Sequence, residues 1–395
     1  MPDNGAADER TRALELVLRH GSSATASQTL HSGLQRFWDG TDAFVAYADT
    51  GRAWVAAGAP VTTAARRSEV VSAFLSAARA AGKRACFFAV DEPLFDSSGE
   101  ALVSLSIGEQ PVWDPRTWTA SLARHRSLRE QLRRARVKGV RARELDSSQL
   151  GASSVREQIE SLCERWLSSR RLAPMAFLVK LEPFASTATR RTFVAEQNGR
   201  IIGLASLIPV PARGGWFLEH LIRAPDAPNG TSELLVHSVM AWAERQRCAW
   251  LTLGLAPLSG RLPTLLRLIR DASRPLYDFP GLRAYKAKFR PRFWQPAYLC
   301  YPRSAHALHA VLDTLSAFAQ GGFWRFGLRT LRRGRALEPL RAWAVLLTPW
   351  SLLGPIWTAI AAAGYACRAS LAAATSSVSS SVTSRSKVGP RAIGS

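Results

Sequence analysis

Acidic residues are scarce in this chain. Its 395 residues include 52 Lys and Arg against 30 Asp and Glu, so the formal net charge is +22. The sequence pI is near 11.1. Such an imbalance favours partners that carry negative charge, for example RNA or an anionic membrane surface. The alternative is an arginine-rich proteome, which would spread the excess evenly along the chain.

Cysteines are also few, and no pair of them has the spacing of a metal site or a redox motif. We expect all five to be reduced and structural: Cys86, Cys163, Cys248, Cys300 and Cys367. Walker, Rossmann and nucleophile-elbow motifs are missing as well. ATP hydrolysis, hydride transfer and metal chemistry are therefore not expected, and we predict no metal and no cofactor. The acidic, polar N-terminal segment does not resemble a secretory signal, so we expect the catalytic part in the cytosol.

Two predicted hairpins, 44–61 and 192–210, share one order of residues: Phe-Val-Ala, a polar turn, Gly-Arg, an apolar strand and Pro-Val. This similarity predicts two copies of one unit, each continuing through strand, helix and strand. Helices are predicted at 66–81 and 153–169. The predicted divisions are an N-terminal segment 1–35, a first subdomain 36–150, a linking helix 151–175, a second, catalytic subdomain 176–302, a basic and apolar helical tail 303–372 and a disordered tail 373–395.

The segment 216–230, WFLEHLIRAPDAPNG, is the strongest candidate for a functional site. An apolar strand ends there with Glu219, His220 and Arg223, and a predicted helix opens at Thr231 with its N-terminus directed back at those charges. The alternative is a strand end that carries a solvated charge cluster.

Two further segments, GLAPLSG at 254–260 and FPGLRAYKAKFRPRFWQPAYL at 279–299, complete a recognisable pattern. With 216–230 they resemble, in order and spacing, the cytosolic catalytic domain of the phosphatidylglycerol lysyltransferases and alanyltransferases, the multiple peptide resistance factors. The resemblance covers roughly 43–302 and implies an α/β fold of two tandem GNAT-like acyltransferase subdomains. It also implies transfer of lysine or alanine from aminoacyl-tRNA to phosphatidylglycerol. The flippase domain of full-length members has no counterpart in this sequence, so synthesis is expected to be uncoupled from it.

Exchange of one ester for another needs positioning, a proton acceptor and an oxyanion donor, but no cofactor. The GNAT class alone would suggest acetyl transfer from coenzyme A. Prolines at 225 and 228 remove backbone donors from the phosphate turn of such enzymes, and Asp226 repels phosphate, so we expect no coenzyme A site.

The resemblance implies catalytic roles for four residues. Arg223 matches a family active-site arginine and is assigned to the lipid phosphate or the terminal adenosine of the donor; the alternative is an ion pair with Glu219 or Asp226. His220 stands where many members carry an acid, and a neutral imidazole could accept the hydroxyl proton. Glu219 is then the carboxylate expected to hold the amino group of the donor. Lys286 matches a family lysine and is assigned to the oxyanion or to phosphate; the alternative is a solvated basic strand.

Five other residues are predicted to bind substrate or shape the mouth of the site: Asn229, Gly230, Gly254, Ser259 and Lys288.

A basic helix is predicted at 121–138. Between positions 124 and 143 there are nine Lys or Arg and one acid, Glu130. Four arginines fall on one face at helical spacing and are assigned to tRNA phosphates: Arg126, Arg129, Arg133 and Arg136. The alternative is a solvated face without a partner.

The composition changes after position 302. Residues 342–367 carry no charge and contain three tryptophans, but prolines and glycines interrupt them. They are interpreted as a membrane-seated hairpin or, alternatively, a buried core helix. The sequence thus predicts an enzyme at the cytoplasmic face of the cell membrane. The alternatives are aminoacyl transfer to another lipid or peptide acceptor, and a non-catalytic basic module that binds membrane or RNA.

Overall fold

The computed structural model describes residues 4–170, 175–185, 188–274 and 277–319. The helices in these ranges are α1 (Asn4–His20), α2 (Arg67–Ala80), α3 (Trp118–Ala123), α4 (Arg126–Val137), α5 (Ser147–Gly151), α6 (Ser153–Ser168), α7 (Thr231–Arg245), α8 (Thr264–Ala272), α9 (Phe279–Ala287) and α10 (Ala307–Ala319). The strands are β1 (Gln35–Trp38), β2 (Phe44–Asp49), β3 (Ala53–Ala57), β4 (Arg84–Val90), β5 (Val103–Trp113), β6 (Arg141–Leu145), β7 (Arg191–Gln197), β8 (Arg200–Val210), β9 (Gly215–Arg223), β10 (Trp250–Thr252), β11 (Ala256–Pro257) and β12 (Phe293–Tyr301).

The strands form one mixed sheet in the order β1-β2-β3-β4-β12-β5-β10-β9-β8-β7-β6, and β11 pairs with β5. Two neighbouring pairs are parallel, β3 with β4 and β9 with β10. A helix joins the strands of each parallel pair, α2 in the first and α7 in the second, because a parallel connection needs a crossover. The predicted α/β class is confirmed.

Strand β12, from the second half of the chain, lies between β4 and β5 of the first half. Strand β5 in turn pairs with β10 of the second half. The predicted boundary at 150–176 therefore divides the chain but not the sheet, and the two halves share their central strands.

The sequence similarity between the two hairpins aligns strands that are not equivalent in the fold. The first hairpin, β2–β3, leads directly into α2, whereas the second, β7–β8, leads into β9 before α7. The true counterpart of β2–β3 is β8–β9, so the predicted correspondence is wrong by one strand. Both turns need a residue with positive φ, Gly51 at 85° and Gly199 at 74°, and this shared turn chemistry produced the similarity.

Apolar faces of the helices cover the sheet. In the second half Leu235 and Met240 of α7 and Ile159 of α6 are fully buried against Leu204 and Leu207 of β8. The predicted helix 121–138 is broken around His125 into α3 and α4. The four cysteines in the described ranges are free and buried, as predicted.

No helix among the described residues is long and apolar enough to cross a membrane. The uncharged stretch 342–367 and the tails predicted around it lie outside the described residues, apart from α10.

Candidate functional site

A β-bulge in β9 creates the central feature of the candidate site. Ser206 of β8 pairs with His220, and the next residue, Leu207, pairs with Leu218. Glu219 is therefore the extra residue, and the bulge brings its side chain next to that of His220, with Nδ1 3.6 Å from the carboxylate. Bulges of this kind re-aim side chains and occur frequently beside active sites.

A buried arginine neutralises Glu219. Arg190 Nη1 lies 2.7 Å from Glu219 Oε2, and their side chains are 1% and 2% exposed. His31 Nε2 lies 2.8 Å from Oε1, and Gln28 Nε2 donates to the same oxygen at 3.0 Å. Burial opposes ionisation of Glu219, but the contact with His31 and the charge of Arg190 outweigh it and hold the pKa below its ordinary value. Glu219 is thus a buried, ionised carboxylate held between Arg190, His31 and Gln28.

His220 is engaged through both ring nitrogens. Its Nδ1 lies 3.2 Å from Arg190 Nη1 and 2.9 Å from Ser206 Oγ. Because a guanidinium can only donate, Nδ1 is the acceptor and the proton is on Nε2, 3.4 Å from the Lys180 carbonyl. Burial, together with the charge of Arg190, lowers the pKa of His220 to about 4.

These contacts disagree with two of the expected roles. His220 is neutral near pH 7, but its lone pair is already occupied, so it lacks the free nitrogen that a general base needs. Glu219 is closed off by Arg190 and His31, so it cannot hold an incoming amino group. Both residues instead connect β9 to the N-terminal segment and to the loop before β7.

Lys286 lies on the helix α9 and is buried, so the alternative of a solvated basic strand does not apply. Its Nζ donates to the carbonyls of Leu253, Gly254 and Leu255 at 2.8, 2.8 and 2.9 Å. Burial lowers the pKa of Lys286 to about 7, whereas three carbonyl acceptors favour the ammonium form, whose three protons they match. With every donor occupied, Lys286 fixes the loop after β10 and does not face a substrate oxyanion.

The loop that Lys286 holds also requires its glycine. Gly254 has a φ of 70°, and a Cβ there would lie 2.5 Å from the Phe217 ring. Ser259 Oγ donates to the Ala256 carbonyl at 2.7 Å within the same loop. Gly254 and Ser259 thus shape the backbone where β9 and β10 separate.

Arg223, at the end of β9, has no carboxylate partner among the described residues. Its Nη1 donates to the Ala227 carbonyl at 2.9 Å. The two acids considered as its partners are engaged elsewhere, Glu219 with Arg190 and Asp226 with Arg165 at 3.6 Å. The expected alternative of a structural ion pair is therefore absent, and a partly buried guanidinium remains available.

A second arginine lies near Arg223. The Arg170 guanidinium stacks 4.3 Å above the Trp166 ring. Burial lowers the pKa of Arg170, the nearby Tyr277 phenol opposes this, and the positive charge of Arg223 adds to the lowering. Two cations without a paired carboxylate form a site that favours an anion.

Tyr285 and Glu233 complete this cluster. The Tyr285 hydroxyl is buried beside the Ser232 side chain. Burial and the charge of Glu233 raise the pKa of Tyr285, and the contact with Ser232 and the charge of Arg223 oppose the rise. Lys288 Nζ lies 3.5 Å from Glu233 Oε1. We call Arg170, Arg223, Glu233, Tyr277 and Tyr285 the arginine–tyrosine cluster.

The turn before α7 differs from the predicted capping motif. The residue that precedes the helix is Gly230, with a φ of 97°, and it has no side-chain cap. A Cβ at Gly230 would lie 2.6 Å from the Gln131 carbonyl, so this glycine allows α7 to pack against α4. Asn229 is exposed in the same turn.

Comparison with known proteins identifies the family. Residues 14–301 match the family model described as the C-terminal domain of phosphatidylglycerol lysyltransferase. The chain belongs to this family. The predicted resemblance is thereby confirmed.

Relatives named phosphatidylglycerol lysyltransferase come from several bacteria. The Bacillus subtilis protein is 27% identical over 156 residues, which is 38% of this chain and 18% of the relative. The Staphylococcus aureus MRSA252 protein is 24% identical over 300 residues, which is 73% of this chain and 35% of the relative. The chain thus spans about a third or less of the length of these relatives.

Two solved structures share the fold. The C-terminal DUF2156 domain of a protein assigned as a lysylphosphatidylglycerol synthetase from Agrobacterium fabrum is 26% identical with a TM-score of 0.69, covering 80% of this chain and 98% of that one. The structure of L-PGS from Bacillus licheniformis is 19% identical with a TM-score of 0.66, covering 81% and 97%.

Two of the arginines on the basic helix α4 are held by contacts within the protein that the sequence did not indicate. On α4, Arg129 Nη1 donates to the Leu122 carbonyl at 3.0 Å and thereby closes the end of α3. Arg133 makes two hydrogen bonds of 2.8 Å with Glu130. Of the four arginines assigned to tRNA, Arg133 makes an ion pair in the described ranges, and Arg126, Arg129 and Arg136 make none.

A basic groove extends the surface of α4 toward the sheet edge. It has a volume of about 640 Å³ and lies between α4, β6 and α7, with Arg136, Arg141 and Arg245 on its rim and Phe193 and Leu234 in its lining. The three rim arginines have no ion-pair partner in the described part of the chain. We call this concavity the arginine groove.

Sequence reasoning missed Arg170, Arg190 and the arginine groove. The pair Arg170-Arg171 at the end of the linking helix was a visible signal of cationic character. No signal in the sequence marked Arg190, because its partners lie far away along the chain.

Proposed function

We propose that this chain transfers an aminoacyl group from aminoacyl-tRNA to the glycerol hydroxyl of phosphatidylglycerol. The observation that carries the proposal is the partly buried Arg223 guanidinium at the exit of β9, which has no carboxylate partner among the described residues and whose charge acts on Arg170. A lipid phosphate would neutralise both, and guanidinium groups suit the geometry of phosphate oxygens. The relatives are named phosphatidylglycerol lysyltransferases, which favours this lipid and, as donor, lysyl-tRNA.

The reaction replaces the ester of the donor with an ester of the lipid. The lipid hydroxyl oxygen bonds to the carbonyl carbon of the donor, the bond from that carbon to the ribose oxygen breaks, and the hydroxyl proton passes to the ribose. Glu233 is the carboxylate of the arginine–tyrosine cluster and is assigned to the cationic amino group. The Tyr285 hydroxyl, kept neutral by its raised pKa, is assigned to hydrogen bonding with the reacting oxygens.

Glu219, His220 and Lys286 act as positioning residues in this proposal. Glu219 and His220 fix the bulge before Arg223 through Arg190, and Lys286 fixes the loop at Gly254. Catalysis depends on such placement because small displacements of reacting groups cost large factors in rate.

The arginine groove is assigned to the phosphates of the donor tRNA. Its rim holds three arginines without an ion-pair partner among the described residues, and Glu144 in its lining pairs with Arg191; unpaired cations are what counterion release favours. A cationic surface and a lipid substrate together support a location at the cytoplasmic face of the cell membrane.

The test uses the purified full-length chain, phosphatidylglycerol vesicles, and lysyl-tRNA or alanyl-tRNA, with lipid products resolved by mass. We expect a new aminoacyl lipid. Arg170→Gln and Arg223→Gln should each lower the rate by about 100-fold, in line with losing one charged contact to a bound phosphate.

Arg116→Gln is the matched control, because Arg116 is exposed and pairs only with Asp114 at 2.7 Å; its rate should equal that of the wild type. A wild-type chain that modifies no lipid, or modifies another lipid or a peptide amine instead, would refute the proposal. Normal rates in both cluster variants would refute the phosphate assignment.

A further inference from the structure

Helix α8 has an apolar face that is wider than the part it buries. At 100° per residue its five apolar residues, 265, 266, 268, 269 and 272, span an arc of about 160°. Leu266 is 3% exposed and packs in the core of the first half. Leu268, on the other side of the arc, is 61% exposed. Part of the apolar face is thus left open to solvent.

The open face lies among cations. Arg261, Arg267, Arg270 and Arg274 accompany α8 against one acid, Asp271. Asp271 pairs with Arg270 at 3.2 Å. The other three arginines are exposed and make no ion pair in the described ranges. An exposed leucine on a helix, with exposed arginines near it in sequence that make no ion pair among the described residues, complements a surface that is apolar beneath and anionic on top.

Helix α8 lies between two parts of the candidate site along the chain. The loop fixed by Lys286 at Leu253–Leu255 leads into it. Beyond it, the Tyr277 amide donates to the Ser273 carbonyl at 3.0 Å. The Tyr277 phenol lies close enough to Arg170 for their charges to interact. A surface that holds α8 would therefore lie next to the arginine–tyrosine cluster.

We infer that α8 and its flanking arginines dock this domain on an anionic phospholipid bilayer, with Leu268 inserted at the level of the headgroups. The inference rests on the proposed function, since the acceptor hydroxyl lies at that level. RNA is the less suitable partner, because phosphate contacts gain nothing from an exposed leucine, whereas interfacial helices combine both features.

The first experiment measures sedimentation of the full-length chain with vesicles of phosphatidylglycerol and phosphatidylcholine, and with phosphatidylcholine alone. Wild type should bind the anionic vesicles, and Leu268→Asp should bind about tenfold more weakly. Arg267→Gln and Arg274→Gln should each weaken binding about fivefold, and less at high salt. Val137→Asp is the matched control, since Val137 is 72% exposed on α4; its binding should be unchanged.

The second experiment reports insertion directly. An environment-sensitive fluorophore on Leu268→Cys, with Cys367→Ser to remove the native cysteine outside the described core, should shift to the blue on anionic vesicles. The same label on Val137→Cys should not shift. A label at 268 that stays in water, or equal binding of Leu268→Asp and wild type, would overturn the inference. So would tRNA binding that falls in Leu268→Asp, since α8 would then contact RNA.

The lipid reaction separates this inference from the proposed function. With phosphatidylglycerol dispersed in detergent micelles, Leu268→Asp should keep the wild-type rate, because docking on a bilayer is no longer needed. A rate loss of equal size in micelles and vesicles would assign Leu268 to the site itself and overturn the docking role. A wild-type chain that docks and inserts but modifies no lipid would refute the proposed function alone.

Discussion

Replacing Arg190 by methionine tests whether Arg190 compensates the buried charge of Glu219 in the polar network under β9. Arg190 and Glu219 are 1% and 2% exposed and 2.7 Å apart. Removing one partner of such a pair leaves an uncompensated buried charge and costs about 3–5 kcal/mol. Unfolding entropy of about 2.1 cal/mol/K per residue over about 300 folded residues gives ~0.6 kcal/mol/K, so Tm should fall by about 5–8 °C.

The loss of Tm in Arg190→Met should depend on pH. In the wild type the pKa of Glu219 is held below its ordinary value of 4.5, so its contribution to stability is complete above that value and lost as pH falls through the lower folded-state pKa. In Arg190→Met, burial is opposed by one charge fewer, so the pKa of Glu219 rises and the penalty is relieved as Glu219 becomes protonated. The difference in Tm between the two proteins should be largest near pH 7 and narrower at pH 5.

Thermal unfolding followed by circular dichroism at pH 7, 6 and 5 measures this difference. Arg143→Met is the matched control, because Arg143 pairs with Glu196 at 2.7 Å on the surface, and exposed pairs contribute about 0–1 kcal/mol. The double variant Arg190→Met/Glu219→Leu should recover part of the loss. Equal shifts in Arg190→Met and Arg143→Met, or a difference in Tm that does not vary with pH, would refute the reasoning.

Three other predictions concern the loop, the glycine that shapes it and the arginine groove. Lys286→Met leaves three carbonyls without their donor and should lower Tm by several degrees, at a cost of about 3 kcal/mol. Lys288→Met should change Tm little. A larger loss of Tm in Lys288→Met than in Lys286→Met would mean that Lys286 faces substrate. Gly254→Ala, at a φ of 70° and 2.5 Å from Phe217, should cost at least about 2 kcal/mol in urea unfolding, more than Gly199→Ala, whose Cβ meets nothing within 4 Å. Arg136→Glu/Arg245→Glu should weaken tRNA binding and reduce the slope of log affinity against log salt by about 2, whereas Arg134→Glu, already paired with Glu130, should change it less; an unaltered slope contradicts the groove assignment.

The sequence predicted the elements whose apolar periodicity is undisturbed. Helix α2, Arg67–Ala80, lies within the predicted helix 66–81, and α7 begins at Thr231 as expected. The family motifs also led to Arg223, because its position at a strand exit before a helix is encoded locally.

Contacts between distant segments could not be read in the same way. Arg190 meets Glu219 only because β7, β8 and β9 are antiparallel neighbours, and His31 arrives from the N-terminal segment. The bulge at Glu219 has no local sequence signal, so the roles expected for Glu219 and His220 assumed side chains that face a substrate. Folding directs them inward.

Helix α9 was predictable in part. Asp278 Oδ1 accepts a hydrogen bond from the Gly281 amide at 2.9 Å, and a proline occupies the first turn of the helix. An aspartate followed by proline is a helix start signal, but the alternating basic residues near Lys286 were interpreted as a strand. The break between α3 and α4 has no proline or glycine to mark it.

The insertion of β12 between β4 and β5 affects how the chain can fold during synthesis on the ribosome. The first half of the sheet is complete only when β12 lies between β4 and β5, and β12 is translated after every strand of the second half. Until then β4 and β5 present unpaired edges, which are templates for aggregation. The nascent first half therefore cannot fold as a unit ahead of the second. A ribosome stalled before position 293 should hold a chain whose first half is protease-sensitive, rather than one with a folded N-terminal domain.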